Sequence, residues 1–183
     1  MDKYLLKPLN EDDAQTFFDL IENNRPRLEA FFSGTVAKTK TFDDTSNYLK
    51  EIIEKQIQKT YLAFFVIDSE SQKIIGFMDA KNIDWNLPKA ELGCFIDKNF
   101  ANQGIAAEPF SAFIHHLFST YHFTKLFLRT HESNEAAKAL AIKTGFIQEG
   151  VLRSDYKSLN GEFLDLIYFG ILHHEFKKWH NKN

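Results

Sequence analysis

Residues 90–108 carry the spacing most able to do chemistry: Ala90-Glu91-Leu92-Gly93-Cys94-Phe95-Ile96-Asp97-Lys98-Asn99-Phe100-Ala101-Asn102-Gln103-Gly104-Ile105-Ala106-Ala107-Glu108. A β-rich run ends near Asp97, a polar loop holding Asn99, Asn102 and Gly104 follows, and a helical pattern begins behind it. Asn and Gly enter left-handed backbone more readily than other residues. Such a loop can turn successive N–H groups into one concavity, and the helix behind it leaves about four more unpaired donors. The chemistry on offer is anion binding, with a diphosphate as a natural occupant. An ordinary turn before a helix has the same composition. The Gly-Lys-Ser/Thr ending of a Walker loop is absent, and two of the three glycines of the dinucleotide fingerprint are missing.

The elements that must position this loop follow from periodicity. Residues 3–9 read as a short strand closed by Pro8. Asn10 precedes a helix with Phe17, Phe18, Leu20 and Ile21 on one side, which Asn23-Asn24 and Pro26 interrupt; 27–32 resume it. Residues 33–41 read as a loop, and 42–59 as a helix capped by Asp43 or Asp44. Runs 61–67, 74–80 and 90–97 form an antiparallel meander. Then come a helix over 104–121, a strand over 125–130, a helix over 135–144 and strands over 146–152 and 163–172, the last after the Asn160-Gly161 turn. Pro109 forbids an unbroken ladder, so the helix starts near Ala106 or bends. The whole predicts an α/β (α+β) fold: one mixed sheet with helices on both faces and at least one parallel pair between 90 and 130.

Composition bounds the function. The 183 residues fit one domain, 1–183. The 25 acids against 22 bases, a net charge of −3, argue against a direct nucleic-acid partner. No apolar run reaches the length of a membrane span, and the start MDKYLLKPLNEDDAQ lacks the apolar core of a signal peptide, so a cytoplasmic protein is expected. One cysteine, Cys94, precludes an internal disulfide and reads as inert core. His115 and His116 point about 100° apart on a helix, and His173-His174 alternate faces on a strand end, so no metal is expected. The 19 phenylalanines read as a Phe-filled core, with an aromatic substrate cleft as the alternative.

Three stretches together resemble the GNAT acetyltransferases. Asn99-x-x-Asn102-x-Gly104-Ile-Ala-Ala-Glu108 is similar to the family's Gln/Arg-x-x-Gly-x-Gly/Ala, with Asn99 in place of Gln or Arg and Asn102 in place of the first Gly. Asn134-Glu-Ala-Ala137, then Lys143-Thr-Gly145-Phe146-Ile-Gln-Glu149-Gly150, resembles Asn-x-x-Ser/Ala…Gly-Phe-x-x-Glu-Gly. Gly150-Val-Leu-Arg153…Asn160-Gly161-Glu…Asp165-Leu-Ile-Tyr168 points to the subgroup acting on the N-terminal serine or alanine of ribosomal proteins. The likeness runs from Leu5 to Leu172.

The resemblance implies a sheet of about seven strands, largely antiparallel and twisted, with central splayed parallel strands. It implies acetyl-CoA as donor, with no metal. The loop Asn99, Asn102, Gln103, Gly104, Ile105 and Ala106 would grip the diphosphate. The end of strand 90–97 and the start of strand 125–130 would part, and the pantetheine arm would pair with backbone near Phe95, Ile96 and Asp97. A bulge near Phe95 or Ile96 would supply an oxyanion donor. Asn134 and Ala137 would contact the arm or order the next helix. A primary amine would attack the thioester directly, with Glu91 taking its proton or standing as a merely ion-paired carboxylate. The family's proton-donor positions hold Ala137 and Ala141, so a water or Tyr168 would supply the thiolate's proton if anything does. Glu162 and Asp165 are candidate contacts for the amine. A protein N-terminus, such as that of a ribosomal protein, is the expected acceptor. Small amines (polyamines, aminoglycosides, amino acids) and a non-catalytic acyl-CoA-binding module are the alternatives, and a homodimer is left open.

Overall fold

The computed structural model describes residues 3–180 apart from residues 102 and 159, with side chains to residue 178. Asn102 therefore lies outside the described residues. Seven strands form one sheet in the order β1-β2-β3-β4-β5-β7-β6: β1 Tyr4–Pro8, β2 Leu62–Asp68, β3 Ile74–Asp84, β4 Lys89–Ile96, β5 Lys125–Thr130, β6 Ile147–Lys157 and β7 Phe163–Leu172. Every neighbouring pair is antiparallel except β4–β5, whose connection contains α4, Ala107–Thr120. A parallel pair needs such a crossover, whereas tight turns suffice elsewhere.

Helices α1 (Ala14–Phe31), α2 (Ser33–Ala37) and α3 (Phe42–Ile57) cover one face, and α4, α5 (Glu135–Lys143) and α6 (His173–His180) cover the other. Alternation along β2 divides the core. Ala63, Phe65 and Ile67 join Phe17, Leu49 and Phe95 under α1–α3; Leu62, Phe64 and Val66 join Phe113, Leu117 and Phe176 under the second set. Phe17, Phe65, Phe77, Phe110, Phe113, Phe118 and Phe123 are fully buried. Phe17 stacks on Phe77 at 5.1 Å and meets Phe65 edge-on at 5.2 Å. The phenylalanines build the core, each contributing on the order of 1.5–3 kcal/mol by burial.

Several boundaries differ from the sequence expectation. α1 runs unbroken through Pro26, because its neighbours are held from outside the helix. Asn24 bonds the end of β4, Arg27 donates to the Ile96 carbonyl at 2.9 Å, and Arg25 donates to the Thr39 carbonyl. Tertiary contacts outweigh the preference of the residue before proline for extended backbone. Residues 33–37, expected as loop, form α2, with Thr35 and Val36 buried. Thr41, not Asp43 or Asp44, caps α3: its Oγ1 accepts from Asp44 N–H at 3.1 Å, and Asp44 Oδ2 accepts from Thr41 N–H at 3.2 Å. α4 starts at Ala107, which leaves Pro109 in the first turn where no N–H is needed. β6 extends to Lys157 through two irregularities, and His173-His174 open α6 instead of ending a strand.

Candidate active site

The sheet opens at its centre. β4 and β5 pair only over Lys89–Lys125, Ala90–Leu126 and Glu91–Phe127, and beyond these their carboxyl ends part. The start of β5, expected to be splayed, is the part that pairs; the gap begins one residue later, at Leu128. The β3–β4 register runs without a break from Gly76–Ile96 to Lys81–Glu91, so the expected bulge near Phe95 or Ile96 is absent; the irregularity lies at Lys81–Asp84. Asp97 N–H donates to the Ile75 carbonyl at 2.7 Å. In an antiparallel ladder the odd residues of β4 therefore face β3, and the main-chain groups of Leu92, Cys94 and Ile96 face the gap. The open edge exists without a bulge. Arg27 already occupies the Ile96 carbonyl.

At the end of β4 the loop is organised by Asp97 and Asn24. Asp97 Oδ2 accepts from Asn24 Nδ2 and its Oδ1 from Asn99 N–H, both at 2.8 Å, while Asn24 Oδ1 accepts from Lys98 N–H at 2.8 Å. Asp97 is thus a staple between α1 and the loop rather than a ligand contact through its side chain. Phe95 packs between Phe77 and Phe32, and its main chain faces β3, so the expected pairing of an arm with Phe95 falls to its neighbours Cys94 and Ile96. Asn99 accepts Gln103 Nε2 through its carbonyl at 3.0 Å. The N–H groups of Gln103, Gly104, Ile105 and Ala106 have no hydrogen-bond partner among the described residues. Gly104 has φ +72°, and a Cβ there would stand 3.2 Å from Lys143 Nζ. Free amides, the amino end of α4 and an ammonium group converge on one spot. Lys143 belongs to one of the sequence motifs, but nothing local to it shows that the end of α5 returns to this loop.

Asn134 caps α5, its Oδ1 accepting from Ala137 N–H at 3.2 Å. Of the two readings of this pair, ordering of the helix is the one its hydrogen bond serves.

On the α1–α3 side of the gap the sheet becomes polar. Glu91, 6% exposed, accepts Arg129 at 2.8 Å and Asn82 Nδ2 at 2.7 Å on the same oxygen, Oε2. Arg129 also pairs with Asp155 on β6. Glu91 therefore has an ionic partner, and Oε1 is the oxygen left to meet a substrate. Asp79 on β3, 2% exposed, accepts the Tyr61 hydroxyl on Oδ2, and Lys81 Nζ lies 3.8 Å from Oδ1. Burial, reinforced by Asp79, holds the Tyr61 phenol well above its usual value, and Asp79 raises the Lys81 ammonium. Ser33 on α2 hydrogen-bonds Tyr156 on β6 and closes the rim.

Tyr168 lies flat on Phe127 at 4.8 Å, with Lys125 Nζ 5.3 Å from its ring. Burial, with Glu149 and Glu91 adding, pushes its phenol up to about 12. Glu162 and Asp165 do not join this group. Glu162 is exposed at the hairpin turn, and Asp165 is exposed with Oδ1 accepting from Ser154 N–H at 2.8 Å. Burial also raises the Cys94 thiol, in keeping with an inert core group. No group of three His, Cys, Asp or Glu side chains among the described residues is placed to hold a metal.

The sheet thus opens between two parallel strands, with a loop of amides unpartnered among the described residues at one strand end. Residues 3–147 match the acetyltransferase (GNAT) domain. The chain belongs to the GNAT acetyltransferase family. It is an N-acetyltransferase, as its relatives are. YdaF of Bacillus subtilis (strain 168), provisionally named a ribosomal N-acetyltransferase, is 25% identical over 177 residues, 94% of this chain and 92% of that protein. The spermidine N(1)-acetyltransferase of Vibrio cholerae is 24% identical over 161 residues, 88% of each chain. The solved RimL, a ribosomal L7/L12 α-N-protein acetyltransferase in complex with coenzyme A, superposes with a TM-score of 0.87 over 94% of this chain and 95% of that one, at 17% identity. The GNAT fold is shared throughout. No helix among the described residues is long and apolar enough to cross a membrane.

Proposed function

We propose that this GNAT enzyme takes its acetyl group from acetyl-CoA and transfers it to a protein N-terminal α-amine by direct attack in a ternary complex. The observation that carries the donor assignment is the convergence of the unpartnered amides at 103–106 with Lys143 at the mouth of the β4–β5 gap. The diphosphate fits this convergence, with Asn99 and Gln103 framing the loop. The pantetheine arm runs along the edge of β4 past Phe95, Ile96 and Asp97, and α5, ordered by Asn134 and Ala137, forms its far wall. RimL was solved with coenzyme A bound, which supports the same donor here.

An α-amine, with a pKa near 7.7–8.0, loses its proton far more readily than a lysine near 10.4. The acceptor enters from the α1–α3 side, where Glu91 meets it through Oε1 and Arg129 holds that carboxylate in place. The N–H of Cys94 or Ile96 on the open edge serves the tetrahedral oxyanion. Tyr168, whose phenol keeps its proton well past neutrality, serves as a hydrogen-bond donor toward the leaving sulfur. Proton transfer from a phenol near 12 to a thiolate near 8.5 is uphill, so the sulfur's proton comes from the attacking nitrogen, whose acidity rises once it is acylated, with water as the relay. Glu162, exposed at the turn, acts at the rim where an incoming peptide passes, whereas Asp165 shares the opposite face of β7 with Ile167 and Phe169. The spermidine enzyme among the relatives, and the carboxylates on this face, support a small polyamine as the second reading.

Calorimetric titration of acetyl-CoA, followed by thiol release with Ser- and Ala-initiated peptides and with spermidine, tests both parts. Heat without turnover on any amine removes the catalytic assignment, and absence of heat removes the donor.

A further inference from the structure

Asp79 is the carboxylate that the mechanism above leaves unused, and its surroundings are those of a binding group. Its Oδ1 is buried and has no hydrogen-bond partner. Leaving a buried acceptor of this kind unpaired costs about 1–3 kcal/mol, more for a charged one. The oxygen points at Gly93, its cross-strand partner on β4: a Cβ added there would collide with Oδ1 and stand 3.2 Å from Cγ. Gly93 is half-buried, so the hollow above it is partly open to solvent. Lys81 Nζ fills that hollow, 3.4 Å from the same Cβ position and 3.8 Å from Oδ1, too far for a hydrogen bond. Its side chain is 36% exposed.

Charge completes the picture. Asp79, Glu91 and Asp155 face Lys81 and Arg129 across this surface, three carboxyl groups against two cationic ones. Tyr48 and Tyr61, the other titratable groups packed here, are held protonated by burial and by Asp79. One more positive group balances the set.

We propose that Asp79 is the carboxylate that receives the acceptor's ammonium group and takes its proton, in the hollow over Gly93 that the Lys81 ammonium now fills. This rests on the acetyl-transfer reading. One N–H bond of the ammonium breaks and its proton goes to Asp79 Oδ1. The freed electron pair forms the C–N bond to the thioester carbon, the C–S bond breaks, and its electron pair leaves on sulfur. A second nitrogen proton ends on that sulfur through water, and Asp79 returns its own to solvent. Lys81 is then a tethered occupant that the substrate displaces, and Glu91 positions the acceptor beside it.

Asp79→Asn keeps the shape of the side chain and an acceptor for Tyr61. With the better of spermidine and a Ser-initiated hexapeptide as acceptor, kcat/KM for the amine falls at least ~100-fold, the low end for a proton acceptor. Acetyl-CoA affinity by calorimetry is unchanged. Gly93→Ala, which leaves Asp79 in place but drives its carboxylate aside, gives the same split and stands in should Asp79→Asn unfold. Lys81→Met lowers the amine KM several-fold with kcat kept. Retention of amine kcat/KM within twofold in Asp79→Asn overturns the role of Asp79 and leaves acetyl transfer standing. A wild-type enzyme that binds coenzyme A yet acetylates neither acceptor overturns the underlying reading and Asp79 with it.

Discussion

The donor side of the gap is made of main chain and the acceptor side of side chains. Around Gly104 the groups offered to a ligand are consecutive amides and a helix end, fixed by one short loop, and Lys143 reaches in from α5. Across the sheet the offered groups are Asp79, Glu91 and Arg129, one from each of three strands, with Tyr61 and Asp155 behind them. A main-chain site is tuned to one invariant ligand and tolerates side-chain change. A side-chain site can be rewritten residue by residue, which suits a family whose relatives carry names as different as ribosomal and spermidine acetyltransferases.

If that contrast is real, mutations should divide along it, and the largest effect belongs to the acceptor side. Arg129→Met strands the buried Glu91 carboxylate and should cost about 3–5 kcal/mol of stability. Denaturant unfolding measures it, and a loss under 1 kcal/mol would show that Glu91 does not depend on its partner. Gly104→Ala forces a Cβ into left-handed backbone, a strain of about 1–2 kcal/mol, so acetyl-CoA should bind roughly tenfold more weakly while amine KM is unchanged. Movement of both constants would erase the boundary between the sides. Lys143→Met removes one exposed charge and should weaken donor binding only about two- to fivefold. Its contribution should vanish at high salt, whereas that of Gly104 should persist.

The smallest effect lies away from the gap. Burial, with His115 adding, holds the His116 imidazole below its usual value. The folded-state value is depressed, so the stability it supports is full above about pH 6.5 and is lost as pH falls through the folded value. Replacing His116 with Gln should flatten the acid side of a Tm–pH curve and leave both substrate constants alone.

The same contrast explains what was legible in the sequence. The donor loop is a contiguous string, so Asn99, Gln103 and Gly104 announced themselves before any strand was placed. Of the acceptor side, Glu91 could be marked from its motif, but its ion pair with Arg129 could not, because 38 residues separate them and only the β4–β5 register joins them. Asp79 leaves one trace in the sequence, an acid within the apolar run 74–80, on the same face as Phe77. The strands follow from their apolar runs. α2 and the continuity of α1 do not, because both depend on hydrogen bonds to distant chain rather than on local propensity.

Asn24 has a wider consequence. From the helix walling the amine side, its single amide grips the strand end feeding the phosphate turn, donating to the Asp97 carboxylate and accepting from Lys98 N–H. The two half-sites are mechanically one part. Drift toward a new acceptor can remodel the outer turns of α1 freely, but it cannot tilt the helix at this point without dragging the nucleotide cradle along. That anchor divides the enzyme's surface into territory open to specialisation and territory held fixed by its shared cosubstrate.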